Sequence, residues 1–235
     1  MLARSAYVST GKVLDSFARR VTETRLVWTV SGEDGLARMA SPTRLGREVT
    51  LAWSTQAEAE RWSRMMARHP RVNPIVLGNF ITQVLPKLRN LNRLVMPDWS
   101  ADIGHPQFEP AEIEQRLKIE GVSRFAEDVQ GRGAVYILED EMGPAFAASA
   151  RSAAKLVLPC WTTRDGAEQQ VRGFWSEMMI SEIAVATFVA KTLPWIAGLG
   201  RAVSLNHGQG GATIEIGALE LAGKLARKPQ LRRTA

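Results

Sequence analysis

The sequence predicts an α+β protein made of two tandem copies of a small domain, each a mainly antiparallel sheet packed with helices. An internal repeat, short β-rich runs set around turn residues, and amphipathic helical segments without regular βαβ alternation carry this expectation. Trp53 and Trp161 stand 108 residues apart. At the same spacing Phe17 meets Phe125, Val21 meets Val129, Val27 meets Val135, Gly35 meets Gly143, Phe80 meets Phe188, Leu85-Pro86 meets Leu193-Pro194, and Arg93 meets Arg201. No gap is needed. The matches fall on aromatics, Gly, Pro and aliphatics, the residues that set packing and turns. The copies are read as residues 1–118 and 119–235, each long enough for its own core.

The elements follow in the same order in both copies. A short helix comes first, over Val13–Thr22 and Ser123–Gln130, with Phe17 and Phe125 on its buried face. Leu26–Val30 and Ala134–Leu138 are β-rich and run into the turns Ser31–Gly35 and Glu139–Gly143. Leu36–Ala40 and Ala145–Ala148 return as strands, and Val49–Trp53 and Leu156–Trp161 form a third. Ser54-Thr55 and Thr162-Thr163 supply hydroxyls that can cap the helices Gln56–Arg68 and Arg164–Glu177. A second long helix is expected over Leu77–Asn90 and Ala184–Ala197. Pro86 and Pro194 lie inside it, and each should kink it or mark a start. Strands Leu94–Met96 and Ala202–Leu205, further strands near Gln107–Phe108 and Thr213–Ile216, and last helices Pro110–Lys118 and Ala218–Ala226 complete each copy.

Composition narrows the class. Of 235 residues, 45% are hydrophobic and 23% charged, which fits a folded chain and argues against global disorder. A lone cysteine excludes an internal disulfide. The most apolar stretch, Met178–Leu199, contains Glu182, Lys191 and Pro194 and fails as a membrane span. Met1–Lys12 has no apolar core of signal-peptide length. A cytoplasmic protein with no membrane contact is therefore expected. The net charge of +6 is modest, although the C-terminal stretch with Lys224, Arg227, Lys228, Arg232 and Arg233 holds no acid from residue 224 onward.

The second copy carries a recognisable pattern: Val135-Tyr136-Ile137-Leu138, Gly143, Val157-Leu158-Pro159-Cys160-Trp161, Arg164, Ala167, Phe188 and Leu193-Pro194-Trp195. It resembles the bacterial DUF2750 family, small α+β proteins of unknown function, here in tandem. The first copy departs at Leu51 and Gln56, where the second has Pro159 and Arg164. The resemblance implies a fold and brings no catalytic residues with it.

Catalysis needs converging titratable groups, and the sequence offers no such constellation. Cys160 sits in an apolar strand beside Trp161, as a buried structural thiol would. His69, His105 and His207 show no metal-ligand spacing and are read as surface or loop histidines. Ser9-Thr10-Gly11-Lys12 lacks the first Gly and the closing Ser or Thr of a phosphate loop. His207-Gly208-Gln209-Gly210-Gly211 precedes a strand and reads as a flexible turn, and Glu139-Asp140-Glu141 as a solvated one. No catalytic residue, metal site or cofactor is expected, and the protein is expected not to be an enzyme.

The copies differ in surface. Between Arg61 and Pro97 the first has Arg61, Arg64, Arg68, Arg71, Lys87, Arg89 and Arg93 and no acid. Arg61, Arg64 and Arg68 share an arc of roughly 60° on a helix turning about 100° per residue, and Ala59, Trp62 and Met66 face the core. The second copy instead gathers Phe174, Trp175, Met178, Met179 and Trp195. Some of these must be core, and the surplus suggests a buried contact, either between the copies or with a partner. A non-catalytic protein-interaction module, an adaptor or immunity-type partner docking through Trp175, Met178, Met179 and Trp195, is the leading expectation. Its protein partner is unidentified. Nucleic-acid binding through the first copy's basic face is the alternative, and an active site assembled only in three dimensions is the third reading.

Overall fold

In each half of the chain the first hairpin forms where alternating aliphatics flank an acidic-Gly turn. A computed structural model describes residues 10–33, 35–66, 69–101, 105–151, 155–173, 175–208 and 214–227. The chain divides into two units after Glu120. Each is α+β, as expected.

The first unit opens with helix α1 (Thr10–Thr24), which buries Leu14, Phe17, Ala18 and Val21. Strand β1 (Leu26–Gly32) pairs antiparallel with β2 (Gly35–Leu36). The returning chain then changes sheets. Ala37 N–H still donates to Val30 O, but β3 (Arg38–Ala40) pairs with β4 (Glu48–Ala52). Helix α2 (Gln56–Met66) follows, and Thr55 Oγ1 accepts from Glu58 N–H at its start. Strand β5 (Arg71–Val76) lies along the free side of β1. Helix α3 spans residues 77–90, and β6 (Leu94–Pro97) pairs parallel with β4. The sheets are thus β2-β1-β5 and β3-β4-β6, and a backbone bridge between Trp28 and Trp53 links them.

Helix α4 (Pro110–Arg132) contains the division point. The second unit continues with β7 (Ala134–Asp140), β8 (Gly143–Pro144), β9 (Ala147–Ala148) and β10 (Leu156–Cys160). Then come α5 (Arg164–Val171), β11 (Met179–Ala184), α6 (residues 185–198), β12 (Ala202–Leu205), β13 (Ile214–Gly217) and α7 (Ala218–Leu225). Its sheets are β11-β7-β8 and β13-β12-β10-β9, with β10 parallel to β12 and a Tyr136–Trp161 bridge in place of Trp28–Trp53.

The proline question is resolved identically in both units. Pro86 and Pro194 stand in the first turn of α-helical segments that begin at Leu85 and Leu193, so the expected start is present, within a helical run that continues from the turn before. The turns before them, Phe80–Val84 and Phe188–Thr192, are wide π turns in which Leu85 N–H bonds Phe80 O and Leu193 N–H bonds Phe188 O. An i→i−5 turn at this point lets a helix pass a residue that has no N–H and whose ring crowds the preceding turn.

Several expected boundaries shift for identifiable reasons. The separate helices expected at 110–118 and 123–130 are one helix. Gly121 alone costs only about 1 kcal/mol, and i,i+4 ion pairs Lys118–Glu114, Arg116–Glu120 and Arg124–Asp128 support the run. The helix expected to reach Glu177 ends at Val171, where Gly173 N–H turns back to Gln170 O. Strands β5 and β11 were not expected. Pro74 in the middle of β5 reads as a strand breaker, but β5 is an edge strand and edges tolerate a missing donor. The strand expected near Gln107–Phe108 is a single bridge, Phe108 to Val95. In the second unit Ile214–Gly217 forms a full strand, and Thr213 lies outside the described residues.

Trp53 and Trp161 are fully buried, each in a cluster that includes Ala59 or Ala167 from the following helix. Replacing either by Ala should cost about 3–5 kcal/mol, read as a lowered urea midpoint of the full chain. A loss below about 1 kcal/mol would deny these residues their central place.

Candidate functional site

The parallel strand β6 ends in a tight polar corner. Asp98 adopts a left-handed conformation (φ 49°), and its N–H donates to Ala52 O at 2.7 Å. Its carboxylate accepts from Ser54 N–H at 2.7 Å and from Arg20 Nη2 at 2.8 Å. The next residue presents its carbonyl to the core: Trp53 Nε1 donates to Trp99 O at 3.0 Å. The second unit builds the same corner with Asn206 (φ 49°), which accepts from Thr162 N–H at 3.0 Å, while Trp161 Nε1 donates to His207 O at 2.6 Å. An aromatic ring covers each corner. Trp62 lies 5.1 Å from Trp99, and Trp175 lies 5.6 Å from His207.

That geometry reassigns part of the expected interface. Trp175 and Met178 pack against the cluster of Leu138, Ala145, Trp161 and Ala167, so they serve the core of the second unit. Trp175 does for this unit what Trp62 does for the first, from a different position in the chain. Met179 is 63% exposed on edge strand β11, and Trp195 is 47% exposed on α6. Phe174 lies outside the described residues.

Three of the first unit's seven cations have carboxylate partners. Arg93 binds Glu48 at 2.7 Å, Arg89 binds Glu114 at 3.1 Å, and Arg61 lies 3.7 Å from Glu58 and over the Trp62 ring. The acids come from outside the acid-free stretch, or from just before it. Arg64, Arg71 and Lys87 are exposed on α2, β5 and α3, and Arg68 lies outside the described residues. The basic residues from 228 onward also lie outside them, as do Gln209, Gly210 and Gly211 of the Gly-rich turn.

Matching positions of the two units reveal a feature the sequence reading missed. In the first unit, Glu48 at the start of β4 is held between Arg38 (3.1 Å) and Arg93 (2.7 Å). The register is shared: Ala40 faces Glu48 and Ala148 faces Leu156. The three positions in the second unit hold Phe146, Leu156 and Arg201, and Trp195 stands where the first unit has Lys87. The Arg201 guanidinium lies 3.9 Å from the Phe146 ring centre, and Phe146 lies 6.3 Å from Trp195. Leu156 is 40% and Leu199 45% exposed. An ion-paired surface in one unit is thus an aromatic and aliphatic surface with a stacked arginine in the other. Pairing positions across the repeat, charge against apolar, would have found it.

Among the described residues no group of three or more His, Cys, Asp or Glu is gathered to hold a metal ion. Cys160 is buried, its Sγ contacts Ser204 O at 3.6 Å, and burial pushes its thiol well above the ordinary range. It is a packing residue, as the sequence suggests. His69 is exposed, and His105 Nε2 donates to Pro97 O at 2.7 Å. His207, expected at the surface, is buried, with Nδ1 3.1 Å from Ser204 Oγ. The Glu139–Glu141 turn is closed by Met142 N–H donating to Asp140 Oδ1. No helix among the described residues is long and apolar enough to cross a membrane.

Two domains on one plan, each a bent pair of small sheets closed by a buried tryptophan, define the class: a tandem α+β repeat. The model of the family described as "Protein of unknown function (DUF2750)" matches residues 14–117 and again 122–225. The chain belongs to this family, in duplicate. No curated protein matches it. Among solved structures it is similar to Anabaena Tic22 (protein transport), at 11% identity over 81% of this chain and 91% of that one, with a TM-score of 0.26. It is also similar to Tic22 from Plasmodium falciparum, at 6% identity over 76% and 86%, with a TM-score of 0.24. Likenesses at these scores carry no argument about fold or role.

Two measurements probe the polar contacts. Asp98→Asn, which installs the second unit's residue, keeps an acceptor for Ser54 N–H and loses only the solvent-facing Arg20 pair. It should cost below about 1 kcal/mol, whereas Asp98→Ala should cost about 1–3 kcal/mol by orphaning a buried N–H. Urea unfolding of the two variants ranks them; equal costs would refute the assignment. Glu109 accepts two bonds from Arg47, at 2.6 and 3.0 Å, and one from Arg44. The Arg47 bond holds its carboxyl below the ordinary value. Its stabilisation should therefore be complete above an unfolded carboxyl value of about 4.3 and vanish as pH falls through the lower folded value. The stability gap between wild type and Glu109→Gln, measured from pH 7 to pH 2.5, should close over that window.

Proposed function

We propose that the chain is a non-catalytic protein-docking module of the adaptor type, binding a protein partner through the apolar surface of its second unit. The observation that carries this reading is the exchange of Arg38, Glu48 and Lys87 for Phe146, Leu156 and Trp195 at matching positions. The first unit demonstrates that this fold accepts charge there. Apolar groups at these positions are therefore not required by the backbone, and leaving Leu156 and Trp195 exposed to water forgoes the favourable transfer that a partner would provide. Tryptophan and arginine are also among the residue types enriched at the energetic centres of protein interfaces. The nucleic-acid reading has less support, because three of its seven cations are neutralised by carboxylates of the same unit.

The test uses residues the fold already tolerates. The triple variant Phe146→Arg, Leu156→Glu, Trp195→Lys rebuilds the first unit's ionic surface, with Arg201 in place of Arg93. Its melting temperature should stay within a few degrees of wild type. In nuclease-treated host lysate, a protein that co-purifies in stoichiometric amount with the wild-type chain should be lost from the variant. Equal recovery by both, or recovery of nucleic acid alone before nuclease, would overturn the reading.

A further inference from the structure

The charges around the second unit's apolar surface define the chemistry of what it fits. The residues of that surface lie in two described segments of the chain: the first, residues 142–151 and 155–163, holds Phe146 and Leu156, and the second, residues 183–208, holds Trp195 and Leu199. Their charged residues are Arg151, Lys155, Lys191 and Arg201, and neither segment contains an acid. Lys155 precedes Leu156, and Lys191 lies four residues before Trp195 on α6. Glu215 on the neighbouring strand β13 is already engaged, accepting from Ser149 Oγ and from Ala150 N–H at 2.7 Å each.

Arg201 is the telling residue. Its counterpart Arg93 binds Glu48, but the second unit has Leu156 at that position, so Arg201 keeps its cation and lacks that carboxylate. It lies over the Phe146 ring instead. The first unit therefore displays, within one chain, the bond that the second has left open.

We infer that the surface of Phe146, Leu156, Trp195 and Arg201 binds an acidic segment of a partner protein, one that carries Asp or Glu next to a large apolar side chain. This rests on the docking reading above. The partner's carboxylate takes the place beside Arg201 that Glu48 fills in the first unit, and the apolar side chain packs on Phe146, Leu156 and Trp195. Lys155 and Lys191 add attraction at the rim, which speeds encounter and disfavours basic competitors.

Random peptides displayed on phage, selected on the intact chain at low salt and counter-selected on the triple variant, test the inference. The expected pool pairs Asp or Glu with aromatic or aliphatic residues. A synthetic peptide from that pool should bind about tenfold more weakly to Arg201→Gln, and binding should weaken steadily as salt is raised. Arg201→Lys should recover part of the loss, and Lys191→Gln, at an exposed position, should weaken binding without touching the stacked pair. A pool that is neutral or basic yet still depends on Trp195 would overturn the acidic partner and leave the docking reading standing. An acidic pool bound equally by Arg201→Gln and by Trp195→Lys would place the contact elsewhere and overturn the inference. A selection with no peptide that distinguishes wild type from the triple variant would overturn the docking reading itself.

Discussion

Each unit depends on one buried indole held at both ends. Trp53 exchanges backbone hydrogen bonds with Trp28, at 2.8 Å in each direction, and this bridge ties the two sheets together. Its ring nitrogen donates to the carbonyl after the corner residue Asp98, which fixes the end of the parallel strand. Trp161 does the same through Tyr136 and His207. A buried indole N–H without an acceptor would cost about 1–3 kcal/mol, so the corner must hold its left-handed turn for the ring to stay inside. Asp98 and Asn206 suit that demand, since short polar side chains tolerate this conformation and can accept the N–H of Ser54 or Thr162. Sheet junction, corner and core are one coupled feature, and it recurs intact in both units.

That coupling explains what could be read from the sequence. The repeat was legible because tryptophan, phenylalanine, proline and glycine stand where the fold has least freedom. The helix caps at Thr55 and Thr163 were legible for the same reason, since a hydroxyl before a helix has a local role. Strands β5 and β11 were not legible. An edge strand with Pro74 makes no local signal, and β11 merges into an apolar run that continues as a helix. Helix ends were blurred where Arg25 and Asn92 take left-handed conformations that Gly133 and Gly200 take in the second unit. Only the glycines announce such a turn. The π turns at Phe80 and Phe188 leave no mark beyond the proline that follows them.

The candidate surface was legible only in outline. Trp195 could be singled out as a large apolar residue facing Lys87 across the repeat, but Trp175 and Met178 could not be separated from it. Their fate depends on a loop that folds over His207, and nothing local in the chain specifies that. Phe146 and Leu156 were invisible as site residues because a phenylalanine or leucine near a strand reads as core. Leu156 is exposed and Phe146 half-buried, and this becomes apparent only when the shared strand register sets Leu156 at the position of Glu48.

The duplication also supplies its own reference for function. Two domains with one core can be compared position by position, so a surface difference is not confounded by a difference in fold. Where the first unit closes its surface with a carboxylate between two arginines, the second keeps one arginine, removes the carboxylate and lays apolar groups around it. An exposed ion pair contributes only about 0–1 kcal/mol to stability, so losing it costs the second unit little. Burying a tryptophan and a leucine against a partner is worth several times that. On the docking reading proposed above, the exchange gives up almost nothing in the fold and places its favourable term in association.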